Sequence, residues 1–238
     1  MKQEIWFGDC LELMKNIPDK SVDMVLCDLP FGVTACKWDK TINFQLLWEQ
    51  YRRIVVYGGG IILFGTEPFS TLLRMSNLKG YKYDWIWDKH FPRGMHIVKK
   101  RPMQKHENIS VFTTNGETPK YYPIMTLRDK PVKGKNYGNS KSSPLAHNDR
   151  ESRVYTHKGP DSIIVGCWEA NRGKLHPTQK PVSLCEYLIK TYTNDGDLVL
   201  DNCAGSGSTL VAAKNLNRQF IGIEKEKEYY DICIERLK

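Results

Sequence analysis

The sequence predicts an α/β fold, a mostly parallel twisted sheet with helices on both faces and one basic insertion. Three observations carry this. Short apolar runs alternate with amphipathic helical runs from Ile5 to Leu73 and again from Val182 to Leu237, the pattern of βα units. The stretch Asp201-Asn202-Cys203-Ala204-Gly205-Ser206-Gly207-Ser208-Thr209 lies between the apolar run Leu198-Val199-Leu200 and the helical run Leu210 to Leu216. Strand, tight turn and helix in that order place a loop at a strand's carboxyl end, where open sheets bind ligands. Between the two alternating regions, both periodicity and charge change. Lys89–Lys174 holds 17 Lys/Arg against 7 Asp/Glu, a net of +10, and the remainder 18 against 20.

At 238 residues the chain reads as one domain over 1–238. It divides into 1–88, a basic insert at about 89–174, and 175–238. The elements follow in order. Ile5-Trp6-Phe7 is a strand, and Cys10, Leu13, Met14 and Ile17 form a helix that Pro18 stops. Asp9 is either that helix's N-cap, with Glu12 completing a capping box, or a side chain projected toward a ligand. Val22 to Cys27 is a second strand, running into Asp28-Leu29-Pro30-Phe31-Gly32. Phe44, Leu47, Trp48, Tyr51 and Val55 mark an amphipathic helix, ended by Gly58-Gly59-Gly60. Ile61 to Phe64 is a buried strand. Pro68 opens a helix with Phe69, Leu72 and Leu73 as its stripe. Period-two alternation predicts a strand over Tyr83–Asp88, another runs from Glu107 to Phe112, and Lys89–His106 is a basic loop between them. The segment from Thr114 to about Arg172 is rich in Lys, Tyr, Asn, Ser, Gly and Pro, and Ile163-Ile164-Val165 is its clear apolar run. His176-Pro177-Thr178-Gln179-Lys180-Pro181 leads into a helix of Val182, Cys185, Leu188, Ile189 and Tyr192. After Leu216, a strand over Gln219 to Ile223 ends in Glu224, and Tyr230, Cys233, Ile234 and Leu237 make a last helix.

Composition excludes several classes. The sequence has no run of 18 apolar residues that could span a membrane, and Met1-Lys2-Gln3-Glu4 lacks an apolar signal core, so the expected location is cytoplasmic. Seven Cys without a Cys-x-x-Cys argue against a disulfide framework and a zinc site; Cys27, Cys203 and Cys233 read as buried thiols. The basic insert within a nearly neutral chain points to a polyanion, most simply nucleic acid. Tyr121, Tyr122, Tyr137 and Tyr155 are candidates for stacking or for local packing.

Two turns carry chemistry. Gly205 and Gly207 let backbone approach a ligand, and Glu224 falls about twenty residues on, at the next strand's end, where an acid can hold a ribose diol. No Lys follows the second Gly, so this is not a phosphate loop. A nucleoside cofactor fits this spacing. In the other turn Pro30 pushes Leu29 into extended geometry and exposes its carbonyl. Asp28 adds a second acceptor and Phe31 a flat apolar face. Together they suit a flat group that carries an amino donor.

The two turns together resemble the S-adenosylmethionine-dependent amino-methyltransferases of DNA. Asp28-Leu29-Pro30-Phe31 is similar to their (D/N/S)PP(Y/F/W) motif, with Leu29 at the first Pro and Phe31 as the aromatic. Asp201–Thr209 is similar to their cofactor motif, with Cys203-Ala204 where bulkier residues often stand. His176–Pro181 resembles the segment preceding it, and His106-Glu107-Asn108-Ile109 a strand start also found there. The order is that of the permuted β group. The resemblance covers the chain except about Thr114–Glu169.

The resemblance implies a Rossmann-like methyltransferase fold with an inserted DNA-recognition region. It implies transfer of a methyl group from S-adenosylmethionine to an exocyclic amine of double-stranded DNA. The aspartate-led motif favours adenine N6, with cytosine N4 or a protein or RNA amine as alternatives. No Cys follows a Pro, so the cytosine-C5 nucleophile is missing. The implied catalytic residues are Asp28, Leu29, Pro30 and Phe31, with Asp28 and the Leu29 carbonyl accepting the amine's N–H groups and Phe31 stacking on a flipped base. The implied cofactor-binding residues are Asp9, Cys10, Asp28, His176, Lys180, Asp201, Ala204, Gly205, Ser206, Gly207, Ser208 and Glu224. Asp9 is placed on the adenine, Glu224 on the ribose, and His176 and Lys180 near the methionine end. A homodimer and a cognate restriction endonuclease are partners that such enzymes can have; the sequence carries no interface signature.

Overall fold

The computed structural model describes residues 2–32, 41–134, 154–167 and 179–238. Contacts divide the chain into a large unit, Met1–Tyr122 with Ser162–Lys238, and a small one, Pro123–Asp161. Lys89–Tyr122, assigned from sequence to the basic insert, is integral to the large unit.

The large unit is built on an eight-stranded sheet. Its strands are β1 (Gln3–Phe7), β2 (Val22–Cys27), β3 (Val55–Gly65), β4 (Tyr81–Arg93), β5 (Gln104–Phe112), β8 (Ile163–Ile164), β9 (Leu198–Asp201) and β10 (Gln219–Glu224). Their order is β1-β10-β9-β2-β3-β5-β4-β8. Only β5 runs against the rest, so the sheet is mostly parallel, as expected. The chain winds outward from β2 to β3 on one side and from β9 through β10 on the other. The neighbours β2 and β9, held in register as Met24↔Val199 and Val25↔Leu200, therefore form a topological switch point.

Helices cover both faces. On one side, α1 (Cys10–Leu13), α2 (Phe44–Ile54) and α3 (Phe69–Ser76) bury Cys10, Leu47, Trp48, Tyr51 and Leu73 against Val25, Cys27, Ile61 and Leu63. On the other, α4 (Val182–Tyr192), α5 (Ser208–Asn215) and α6 (Lys227–Arg236) bury Leu184, Leu188, Leu210 and Cys233 against Met24, Leu26, Ile62, Phe64, Trp85 and Trp87. Each buried Leu or Ile contributes about 1.5–3 kcal/mol relative to exposure. Strand parity thus sorts side chains to one core or the other. Leu26 and Asp28 share the α4–α5 side, with Trp87 and Lys89 on β4 and Glu107 and Ile109 on β5.

Several elements differ from the sequence reading. The first helix is a single α turn followed by a 3-10 turn over Met14–Asn16, and Glu12 pairs with Lys15 rather than closing a capping box. The glycines at 58–60 do not end α2. That helix stops at Ile54, where Lys20 N and Ser21 N take the carbonyls of Arg53 and Ile54, and the β-branched Val55-Val56 open β3. Leu72 is 58% exposed, because the short α3 turns Phe69, Ser70 and Leu73 to the core. β4 and β5 run past the expected ends into Lys89–Arg93 and Gln104–His106, so the basic loop is largely a hairpin. Cys203 is half-buried, whereas Cys27 and Cys233 are fully buried.

In the small unit, β6 (Thr126–Lys133) pairs antiparallel with β7 (Val154–Lys158), within the segment that the sequence marked by composition but by no motif. Its side chains are almost all exposed. No described helix is long and apolar enough to cross a membrane.

Candidate active site

The carboxyl ends of β1, β2, β9 and β10 open on a cavity of about 740 Å³. Its wall includes Gly8–Leu11, Asp28–Phe31, Lys180, Asp201–Ser206, Ser208 and Glu224. The two turns singled out from sequence are thus brought together over the switch point.

The Gly-rich turn is fixed by backbone bonds. Ala204 N donates to Ile223 O at 2.9 Å, Gly207 N to Ala204 O at 2.8 Å, and Gly205 N to Glu224 Oε2 at 2.7 Å. Glu224 Oε1 accepts from Glu226 N at 2.8 Å. Burial raises the Glu224 carboxyl, and the backbone donors only partly offset this. Gly207 caps α5 in the left-handed region at φ 78°, where a Cβ would stand 2.4 Å from Cys233 Sγ. It packs against α6, where the missing side chain leaves room for Cys233. Asp201 is buried, its Oδ1 accepts from Cys203 N at 3.2 Å, and burial pushes its carboxyl up to about 7. Beside it Asn202 Oδ1 accepts from Tyr51 OH at 2.6 Å.

Asp9 is the N-cap of α1: its Oδ1 accepts from Leu11 N at 3.0 Å. Its Oδ2 accepts from Lys225 Nζ at 3.1 Å, and it lines the cavity, so cap and ligand roles are compatible. Burial would raise its carboxyl, but Lys225 and the helix N–H groups hold it below its usual range. Cys10 lies next to it in the wall, 8% exposed.

At the other turn Leu29 is buried, and the half-buried Phe31 packs on Phe69 with ring centroids 4.7 Å apart. Asp28 Oδ2 accepts from Lys180 Nζ at 2.5 Å. Asp28 Oδ1 is shielded from solvent and has no hydrogen-bond partner among the described residues. Burial raises the Asp28 carboxyl and Lys180 works against it. Lys180 lines the cavity and bridges two carboxylates: its Nζ also lies 3.3 Å from Glu107 Oε2, an ion pair without hydrogen-bond geometry. Burial would lower the Lys180 ammonium, but Asp28 and Glu107 raise it well above its ordinary value. His176 lies outside the described residues.

Glu107 and Lys89 were not singled out as site residues. Lys89 was counted with the basic loop, yet its Nζ donates to Glu107 Oε1 at 2.6 Å inside the cavity wall. The signal was parity: Lys89 follows Trp85 and Trp87, and Glu107 precedes Ile109 and Val111, on the same face. Lys225 and Arg93 also line the cavity.

Set on a mostly parallel sheet, this paired arrangement defines a methyltransferase. The DNA methylase family model matches residues 22–235, and the chain belongs to that family, the S-adenosylmethionine-dependent DNA amino-methyltransferases. The Type II methyltransferase M.HpaI of Haemophilus parainfluenzae is 31% identical over 100% of this chain and 74% of its own length. M.BglII of Bacillus subtilis is 29% identical over 98% and 68%. Among solved structures, an M1.HpyAVI–SAM complex superposes with a TM-score of 0.65 at 28% identity, covering 99% of this chain and 98% of that one. The cytosine-N4-specific PvuII methyltransferase gives 0.68 at 17% identity, covering 100% and 87%, a likeness of fold.

The chain's own residues fit the cofactor. The cavity lies within the 300–1,000 Å³ common for such ligands. Glu224 offers carboxylate lone pairs at the end of β10, and the turn of Gly205 leaves backbone close to the cavity.

Proposed function

We propose that the protein methylates the exocyclic N6 of adenine in duplex DNA. The observation that carries this reading is Asp28 Oδ1, a buried acceptor without a partner among the described residues, in the cavity that the Gly-rich turn also lines. An exocyclic amine's lone pair is delocalised into its ring. Asp28 Oδ1 and the Leu29 carbonyl accept its two N–H bonds, which favours a tetrahedral nitrogen with its lone pair free. Lys180 keeps Asp28 ionised for this task, and Asp28 Oδ1 can take the proton the methylated nitrogen sheds. Glu224, Asp9 and the turn at Ala204–Ser206 hold S-adenosylmethionine, which when bound supplies an electrophilic methyl on sulfur. Positioning and electrostatics provide most of the effect, with no covalent enzyme intermediate.

The target base leaves the stack, at a few kcal/mol, and Phe31 offers it an apolar face. The hairpin tip carries the exposed cations Lys99, Lys100 and Arg101, which suit phosphate contacts. The aspartate-led motif supports adenine over cytosine.

The test is incubation with labelled cofactor and duplex DNA, followed by digestion to nucleosides. Label in N6-methyladenine is expected; label in N4-methylcytosine would move the assignment to the other amine. Asp28→Ala should abolish transfer, by about 10²–10⁴-fold, while cofactor binding persists. Full turnover by Asp28→Ala would overturn the catalytic role.

A further inference from the structure

Glu107 is a largely shielded carboxylate in the cavity wall, its side chain 12% exposed, and the reaction described above gives it no task. Its Oε1 accepts from Lys89 Nζ at 2.6 Å, and its solvent-shielded Oε2 stands 3.3 Å from Lys180 Nζ, which donates to Asp28 Oδ2 at 2.5 Å. Four charges of alternating sign, from β4, β5, the lead-in to α4 and the end of β2, form one row. Burying them is costly, and apolar residues such as the neighbouring Trp87 and Phe64 would tie the same elements together at less cost. The row ends on the unpartnered Asp28 Oδ1.

We propose that Glu107 and Lys89 are positioning residues for methyl transfer: Glu107, itself held by Lys89, keeps Lys180 on one oxygen of Asp28 and so leaves Oδ1 free for the acceptor amine. The inference rests on the reading of Asp28 given above. An ammonium has three donors. With Glu107 drawing on one side, Lys180 engages a single oxygen of Asp28. Without that pull, Lys180 settles across both oxygens and takes the acceptor that the amine needs. Lys89 keeps Glu107 ionised, so the row is fixed from both ends.

The other groups facing Asp28 come from three elements and from the cavity wall. Asp201 ends β9, Cys27 precedes Asp28 on β2, Cys185 comes from α4, and Arg93 lines the wall. Burial pushes both thiols to about 12, so they stay neutral. Glu107 raises the Asp28 carboxyl and Lys89 lowers it. The two substitutions therefore have opposite signs.

The experiment uses tritiated S-adenosylmethionine and PCR-amplified bacterial genomic DNA, whose adenines and cytosines carry no methyl groups. Rates are read from about pH 5 to about pH 10. Glu107→Gln should lower kcat by about 10- to 100-fold, leave cofactor affinity unchanged and move the acid limb to lower pH. Lys89→Met should move that limb to higher pH. Limbs that stay in place, or move the same way, overturn the proposal, as does a loss of cofactor affinity that tracks kcat. Should Glu107→Gln fail to fold, the direction seen for Lys89→Met decides. Asp28→Ala separates the two levels: retained turnover sinks the site assignment itself, whereas a dead Asp28→Ala with unmoved limbs sinks only the role of Glu107 and Lys89.

Discussion

Asp201 closes β9 with 4% of its surface exposed, and burial pushes its carboxyl from 3.8 up to about 7. The unfolded chain releases that proton near pH 4, while the native chain keeps it to near neutrality. Between those values the unfolded state binds fewer protons, so stability falls as pH rises. Below about pH 4 both states are protonated and the cost is absent. At about 1.4 kcal/mol per tenfold change in proton affinity, the cost above pH 7 reaches about 4 kcal/mol. Asp201→Asn keeps an oxygen for Cys203 N, now at 3.2 Å, and cannot ionise. The variant should therefore be the more stable protein at pH 8, with roughly 2–4 °C in Tm for each kcal/mol recovered, and the gain should shrink toward zero near pH 4. Thermal unfolding followed by circular dichroism, without cofactor, at about pH 4.5 and about pH 8, reads this directly. An equal offset at both pH values, or a less stable variant at pH 8, would refute the reasoning.

Three further outcomes follow from the same geometry. Glu224→Ala removes a charged acceptor and frees Gly205 N, so cofactor affinity by calorimetry should drop about 10- to 100-fold; unchanged affinity would remove Glu224 from the cofactor site. Gly207→Ala must keep φ at 78° and place a methyl 2.4 Å from Cys233 Sγ. It should cost about 2–4 kcal/mol in urea unfolding, and Cys233→Ala in the same chain should recover part of that. Replacing Lys99, Lys100 and Arg101 by Ala should weaken DNA binding and flatten its dependence on log salt by up to about three units; an unchanged slope would place the phosphate contacts elsewhere.

What was legible in the sequence was what is local in the chain. Asp28-Leu29-Pro30-Phe31 and Asp201–Thr209 are contiguous, and the alternation of βα units places both at strand ends, so their meeting over the cavity could be anticipated. Glu224 was legible because one α5–β10 unit has a nearly fixed length. Lys89 and Glu107 were not, because a cation within a basic run reads as solvated until strand parity is extended beyond Asp88. The glycines at 58–60 misled for a related reason. Glycine ends helices, but it also fits crowded strands: a Cβ on Gly59 would lie 2.8 Å from Asp23 O, and one on Gly60 would lie 3.4 Å from Tyr192. The crowding comes both from the strand itself, Val55 at 2.6 Å from a Cβ on Gly59 and Ile62 at 2.8 Å from one on Gly60, and from Asp23, distant in the chain, so a run of glycines does not by itself tell the two uses apart.

The net of +10 over Lys89–Lys174 is therefore not one surface. Lys89 is paired with Glu107 in the cavity wall, and Lys120 with Asp23 at 3.0 Å across the sheet edge. Lys99, Lys100 and Arg101 stand exposed at the hairpin tip beyond them. A polyanion would meet the tip, whereas the charges at the hairpin's base lie toward Lys180 and Asp28. One pair of strands, β4 and β5, thus carries cations with opposite duties. The exposed cations act at long range and are screened by salt, and the buried one acts over ångströms and is hardly screened at all. The distinction is measurable: raising ionic strength should weaken association, while the acid limb of kcat, measured with DNA in excess, stays where Lys89 and Glu107 set it.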